Sequence, residues 1–319
     1  MKHLYKGLVL GAILTPSVAF SDSSELTQAL QSVRQNCGGI SELMSDLKTK
    51  AGINTAITGA GTVAGGVALG TGIAKAGVDS DIAALEKQLM EILKEKSQSS
   101  AISVMEKITY TKQDIQNLLS AITDTSIKTA QENTIKKLEE LTTHSKTLGH
   151  VRTGTMAAAT VTNIAGAAIA GTNKVDEDLS ARIGACVGSV KRLADVKMQA
   201  HIEGSATSAE IAQADKIISA CDKWSTVDLS PINKRATGAA VSSGIGAGFG
   251  LIGTITSVSA NSDKVRSGDA KQEKNLNTVS NVMAGTTAAA SLTSTIFNAT
   301  QISAIKHAAT VADECQGAL

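Results

Sequence analysis

The residues best able to do chemistry in this chain are its four cysteines, Cys37, Cys186, Cys221 and Cys315. Cysteine thiols form disulfides in oxidising compartments, whereas cysteines closely spaced with other cysteines or histidines bind zinc. No cysteine here lies at metal-ligand spacing from another cysteine or from a histidine along the sequence. Disulfide formation is therefore the expected chemistry, although four cysteines allow three pairings and spacing alone does not choose among them.

Two short motifs match catalytic or cofactor patterns only loosely. Gly59-Ala-Gly61-Thr-Val-Ala64 resembles a dinucleotide fingerprint, with Asp79 about twenty residues further on. A polar helical pattern follows it instead of a second strand, so the context is wrong for a nucleotide site. Ser303-Ala-Ile-Lys306 matches an acyl-enzyme pattern without its companion motifs. We predict no catalytic residue, no cofactor, no metal site and no small-molecule substrate, and hence no enzyme.

The amino-acid composition limits which folds and which classes of partner the chain can have. Lys and Arg total 30 against 29 for Asp and Glu, so there is no basic excess to bind nucleic acid. Aromatic residues make up 2% of the chain, too few to fill an ordinary core. Such a chain must pack helices closely through small residues or bury its apolar surface in lipid. With Pro16 and Pro231 as the only prolines, the sequence predicts an all-α fold of long helices and helical hairpins.

Four stretches consist almost wholly of Gly, Ala, Ser, Thr and aliphatic residues: 51–76, 154–172, 236–260 and 282–304. Each lacks charge over about 18 residues or more, close to the length of a membrane span. Lysine or arginine flanks every stretch, including Lys75 and Arg152, and we expect these long side chains to extend to a membrane interface. The stretches predict four transmembrane helices; the alternative is a soluble bundle of buried small-residue helices.

Glycines recur at four-residue spacing in the first and third stretches. The pairs are Gly61 with Gly65, Gly66 with Gly70, Gly244 with Gly248, and Gly246 with Gly250. In lipid this spacing lets helix backbones approach closely, whereas in water each glycine costs a helix about 0.5–1 kcal/mol relative to Ala. We predict that these glycines form helix-packing faces and promote homo-oligomers. The segments resemble the glycine zippers of assorted bacterial envelope and pore-associated proteins, a resemblance that implies no particular activity.

The cysteines and apolar stretches are arranged as two similar halves, which suggests an ancestral duplication. In residues 22–203 the order is a Cys37 helix, apolar helix 51–76, a coiled-coil-like connector 79–148, apolar helix 154–172 and a Cys186 helix. In residues 204–319 the order is a Cys221 helix, apolar helix 236–260, linker 261–277, apolar helix 282–304 and a Cys315 tail.

Residues 1–21 have the features of a secretory signal peptide: a cationic start, a short apolar run and small residues near Ala19. With the mature N-terminus outside, four spans place residues 22–50, 173–235 and 306–319 on the outer side. Every cysteine lies in those three segments, which is where disulfides persist. This topology favours the pairs Cys37–Cys186 and Cys221–Cys315, with free thiols in a helical core as the alternative.

These features together predict an exported structural or assembly protein of the cell envelope. Its partners would be membrane lipid and further copies of itself, most readily in an inner membrane with periplasmic segments. The alternatives are a secreted pore-forming or effector-like protein that inserts its hairpins later, and a wholly soluble helical surface or filament module.

Overall fold

The computed structural model describes residues 25–96, 125–262, 265 and 270–319, and it confirms the all-α prediction: within these ranges all regular structure is helical. The predicted signal peptide and the middle of the 79–148 connector lie outside the described residues. The helices are α1 (Glu25–Cys37), α2 (Ile40–Lys96), α3 (Thr125–Thr172), α4 (Glu177–Glu203), α5 (Ser208–Cys221), α6 (Ser230–Ala260) and α7 (Ala270–Ala318), with a 3₁₀ turn at Asp222–Thr226.

Local sequence explains where several helices begin and end. Gly39 and Gly204 have φ values of 79° and 67°, a left-handed conformation that favours glycine, and they follow α1 and α4. Before α5, the Thr207 hydroxyl accepts a hydrogen bond from the Glu210 N–H, and the Glu210 carboxylate accepts one from the Thr207 N–H. This capping box lowers the pKa of Glu210, chiefly through the backbone hydrogen bond. Pro231 lies in the first turn of α6, where its missing N–H is harmless.

Three helices run well beyond the apolar stretches that they contain. α3 has 48 residues and begins at Thr125, well before stretch 154–172. α2 has 57 residues and continues from residue 40 through stretch 51–76 into the connector without a break. α7 has 49 residues and begins at Ala270, so the second half of the predicted linker 261–277 is helical. Good helix formers such as Gln272, Glu273 and Lys274 explain this extension.

The chain divides into two compact units. Among the described residues, the cysteine unit comprises those up to Ser41, Asp178–Thr226 and Val311–Leu319. The bundle unit comprises those within Glu42–Glu177 and Val227–Thr310. Each unit is therefore assembled from segments that are distant in sequence.

Two disulfides cross-link the cysteine unit. They join Cys37 to Cys186 and Cys221 to Cys315, the pairs that the topological argument favours, and no described cysteine is free. All four cysteines are buried, as is Trp224, which is 2% exposed. Trp224 is thus a packing residue of this unit.

Thiol labelling tests the disulfides directly. Alkylation of the denatured, unreduced full-length chain should add no label, because all four cysteines are oxidised. The same treatment after reduction should add four labels per chain, counted by mass spectrometry. Labelling without reduction would contradict the disulfide pairing.

The bundle unit contains the four apolar stretches as an up-and-down helical bundle. α2 and α7 are antiparallel, since Asn54 bonds to Asn298 near one end and Lys75 to Glu273 near the other. α3 and α6 are likewise antiparallel and closely packed. Ser145 of α3 bonds to Asp79 of α2, which joins the two pairs.

Every helix of the bundle buries residues at alternating spacings of three and four, the pattern of coiled coils and four-helix bundles. In α2 these are Ala51, Asn54, Thr58, Gly61, Gly65, Ala68, Gly72 and Lys75. In α6 they are Ala236, Ala239, Ser243, Gly246, Gly250, Gly253, Ser257 and Ala260. The seam is built from small and polar residues, where a water-soluble bundle would place Leu and Ile.

Candidate functional site

The outer surface of the bundle unit is apolar. Within the four stretches the exposed large aliphatic residues are Ile53, Val63, Val67, Ile73, Val161, Ile164, Val241, Ile245, Leu251, Ile252, Ile255, Val258, Val282, Leu292 and Ile296. Several are more than half exposed, Val63 at 68% and Val161 at 65%. Single exposed aliphatic residues are normal in soluble proteins, but a set that follows four helices is not.

The interior of the same bundle is polar. Its buried polar and charged side chains within the stretches are Asn54, Thr58, Lys75, Thr160, Asn163, Ser243, Ser257, Thr287, Ser291, Ser294, Asn298 and Gln301. A small apolar layer of Ala68, Met156 and Ala284 lies among these polar side chains. Leu69 and Met283 pack against this layer. The bundle therefore has small and polar residues inside and large aliphatic residues outside, whereas a soluble helical bundle buries its large aliphatic residues.

Hydrogen bonds between helices satisfy much of this polar interior. Asn163 Nδ2 donates to Ser291 Oγ at 2.8 Å, and Ser291 Oγ lies 3.0 Å from Asn163 Oδ1. The hydroxyls of Ser243 and Ser294 are 2.7 Å apart. Many of the threonines instead donate to the carbonyl four residues earlier in their own helix, as Thr58 does to Asn54. Most of these buried polar side chains thus have hydrogen-bond partners on protein groups.

A charged cluster lies at the connector end of the bundle, around Lys75. The Lys75 Nζ atom is 2.6 Å from Asp79 Oδ2 and 3.0 Å from Glu273 Oε1. The Lys75 side chain is 1% exposed, while Asp79 and Glu273 keep 31% and 18% exposure. Ser145 Oγ donates to the other oxygen of Asp79. The cluster joins α2, α3 and α7 through one buried cation.

Arg152 extends this cluster with a guanidinium that is fully buried. Its Nε donates to Ser257 Oγ at 3.1 Å, its Nη1 to Asn281 Oδ1 at 3.1 Å, and its Nη2 to Asn277 Oδ1 at 2.6 Å. Burial lowers the pKa of Arg152, and the carboxylates of Asp79 and Glu273 oppose that change. Arg152 therefore links α3 to α6 and α7.

Half of the predicted packing glycines lie inside the bundle. A Cβ atom on Gly65 would lie 3.0 Å from the Ala288 Cα, and one on Gly61 would lie 2.6 Å from Thr162 Oγ1. A Cβ on Gly246 would lie 2.9 Å from the Asn163 amide carbon, and one on Gly250 would lie 2.5 Å from Thr160 Oγ1. At these four positions the neighbouring helix occupies the space that a side chain would need.

The other four predicted packing glycines face outward. Gly66, Gly70, Gly244 and Gly248 are exposed, and a Cβ atom on any of them would meet nothing within 4 Å. In both α2 and α6, therefore, one four-residue glycine pair faces the interior and a second pair faces the outer surface. The structure separates two sets that the sequence pattern treats alike.

The expectation that the flanking cations extend outward is wrong for Lys75 and Arg152, which are both buried in the interior cluster. Their acidic and amide partners attract them inward more strongly than solvent does. The sequence analysis also missed Asp79 and Glu273 as interior groups. The signal was present: Lys75 continues the three-and-four spacing of Asn54, Thr58 and Gly61, and Asp79 follows four residues later.

Two helical segments among the described residues are long and apolar enough to cross a membrane, Glu25–Gln88 and Ser230–Ala260. Core helices of soluble proteins meet the same criterion, but they are mostly buried. In these two helical segments, only 28% and 33% of the most apolar 18-residue stretch is buried. The other two stretches are less hydrophobic because serine, threonine and asparagine interrupt them.

Comparisons with known proteins supply no precedent for this arrangement. No family model matches the sequence, and no curated protein or solved structure matches it significantly.

Proposed function

We propose that this chain is an exported structural or assembly protein of a cell envelope, embedded in a membrane through its bundle unit. The observation that carries the proposal is the reversed distribution of polarity, with aliphatic side chains outside and hydrogen-bonded polar side chains inside. Hydrocarbon solvates such an exterior at no cost, whereas water does not. Polar groups inside a membrane bundle bond to neighbouring helices, as the asparagines and serines do here.

The four spans in this proposal are the apolar stretches 51–76, 154–172, 236–260 and 282–304, arranged as two hairpins. The side chains of Asn54 and Asn163 bond from the first hairpin to the second, so these polar groups are paired once the two hairpins assemble. The similarity of residues 22–203 to 204–319 then reflects duplication of one hairpin with its cysteine helices. The buried disulfides support an oxidising, non-cytoplasmic compartment for the cysteine unit.

We further propose that the outward glycine pairs mediate self-association. Gly66 with Gly70, and Gly244 with Gly248, leave shallow grooves between exposed aliphatic side chains such as Val67. Helices in lipid associate through such grooves because their backbones can approach closely. The inward pairs are already occupied by neighbouring helices of the same chain, so only the outward pairs are free for a second copy.

A lysine on the outer face tests membrane embedding. Ile255 is 58% exposed, so Ile255→Lys should leave the bundle folded but place a charge against lipid. A lysine at the centre of a span costs about 3 kcal/mol, and this position near a helix end should cost less because the side chain can reach the interface. We expect a lower share of the chain in the membrane fraction on immunoblots.

The matched control is Thr278→Lys, an exposed position on α7 outside the apolar stretches. Membrane retention of this variant should equal that of the unmodified chain. If Ile255→Lys is retained equally well, the outer face does not contact lipid and the proposal fails. A soluble bundle would tolerate both lysines and gain solubility from each.

A pore-forming function is the second candidate, because an apolar exterior also suits a chain that inserts late. The interior is closed by direct side-chain contacts such as Asn54 to Asn298, so any pore would form between copies and not through one bundle. A soluble monomer that permeabilises liposomes would favour this alternative over permanent residence in a membrane.

A further inference from the structure

The two disulfides of the cysteine unit are neighbours in space. The sulfur atoms of Cys37, Cys221 and Cys315 all lie within 4.8 Å of one another, and Cys186 is bonded to Cys37. Disulfides that only cross-link helices have no need to touch each other. Here three sulfurs converge from α1, α5 and α7, and the fourth, Cys186 on α4, is bonded to one of them.

After reduction, the sulfurs are close enough to be brought around one metal ion by small side-chain movements. Structural zinc binds four cysteine sulfurs tetrahedrally at about 2.3 Å, which places the sulfurs about 3.8 Å apart. Three of the four sulfurs already satisfy a mutual limit of 4.8 Å. The cysteines are between 0% and 3% exposed, so a metal bound there would be shielded from water. The sequence analysis predicted no metal site because it considered only the spacing of cysteines and histidines along the chain. Such spacing cannot detect ligands that come from four separate helices.

We propose that these cysteines form a redox-gated zinc site, which is two disulfides when oxidised and a tetrathiolate zinc centre when reduced. A thiol reductant supplies two electrons and two protons to each disulfide and is itself oxidised to a disulfide. The four resulting thiols release four protons as they bind Zn²⁺, which gives a centre of net charge −2. The zinc form predominates under reducing conditions. Two molecules of a disulfide oxidant accept four electrons and four protons from the site and solvent and become four thiols, while the cysteines form their two disulfides and Zn²⁺ is released.

Zinc binding would preserve the cysteine unit when its disulfides are absent. The disulfides connect residues separated by 149 and 94 positions in the sequence, so their loss frees long segments. One zinc ion bound to all four cysteines reconnects the same four helices. A reduced chain would then keep its native arrangement until oxidation replaces the metal by the two disulfides.

The test uses the full-length chain, reduced with a phosphine under argon and titrated with Co²⁺, followed by displacement with Zn²⁺. We expect one Co²⁺ per chain, with the visible absorption of tetrahedral cobalt thiolate, and recovery of any helical circular dichroism lost on reduction. The oxidised chain should bind none. Loss of one ligand in Cys186→Ser or Cys315→Ser should weaken Co²⁺ binding by about tenfold or more, since even outer-shell changes have that effect.

Several outcomes would overturn the proposal. These are a reduced chain that binds no Co²⁺, a spectrum without thiolate charge transfer, or single-cysteine variants that bind as tightly as the unmodified chain. If reduction unfolds the chain, failure of Zn²⁺ to restore helicity is equally decisive. None of these readouts involves lipid, so the zinc site and the membrane proposal can fail independently.

Discussion

Replacing Lys75 with methionine should lower the free energy of unfolding of the bundle unit by about 3 kcal/mol. Methionine has a similar length and fills the space, so the loss comes from the charge. Without the ammonium group, Asp79 and Glu273 face each other as partly buried carboxylates with no cation between them. Breaking a buried pair costs about 3–5 kcal/mol, and the lower value applies because both carboxylates keep some exposure.

The measurement is denaturant unfolding in detergent, followed by circular dichroism. Lys50→Met is the matched control, because Lys50 pairs with Asp46 at the same four-residue spacing but is 47% exposed. Exposed pairs contribute about 0–1 kcal/mol, so this variant should be nearly neutral. Adding Glu273→Gln to Lys75→Met should recover part of the loss, because Asp79 then still offsets the charge of the buried Arg152. Equal effects of the two lysine variants would contradict a buried charged cluster.

Alanine at adjacent glycines of α2 should change stability in opposite directions. Gly65→Ala places a methyl group 3.0 Å from the Ala288 Cα, and the backbone there cannot move away as a side chain could. Overpacking of this kind costs about 1–3 kcal/mol, and Gly65→Leu should cost more. Gly66→Ala meets nothing within 4 Å, so it should stabilise the helix by about 0.5–1 kcal/mol through reduced backbone entropy.

A second glycine pair repeats the comparison on α6. Gly250 faces Thr160, whereas Gly248 faces open space, so Gly250→Leu should destabilise the bundle and Gly248→Leu should not. Gly248→Leu should instead alter the oligomer size measured by light scattering, if the outward pairs bind a second copy. Similar stability losses at Gly65 and Gly66 would show that the inward and outward faces are assigned incorrectly.

The helical class and most helix positions could be predicted from composition alone. A near absence of proline and of large aromatic residues leaves few folds other than long helices packed through small residues. The pairing of Cys37 with Cys186 could be predicted because these two cysteines bracket the first pair of apolar stretches, as Cys221 and Cys315 bracket the second.

The polar interior could not be predicted, because the usual search seeks apolar residues at helical spacing. In this bundle the buried seam is Asn54, Thr58 and Gly61, and the aliphatic side chains lie outside it. A search for small and polar residues at the same spacing finds the seam and, at its end, Lys75. The roles of Glu273 and Arg152 depend on contacts between distant helices, which one helix's sequence does not contain.

Membrane embedding of the bundle unit is tested most directly by alkaline carbonate extraction of membranes from cells that express the full-length chain. The reversed polarity of the bundle predicts that the chain stays in the pellet with integral proteins, because carbonate removes proteins held only by surface contacts. Release of the chain into the supernatant would contradict membrane embedding and would leave the exposed aliphatic faces of α2, α3, α6 and α7 as protein-binding surfaces.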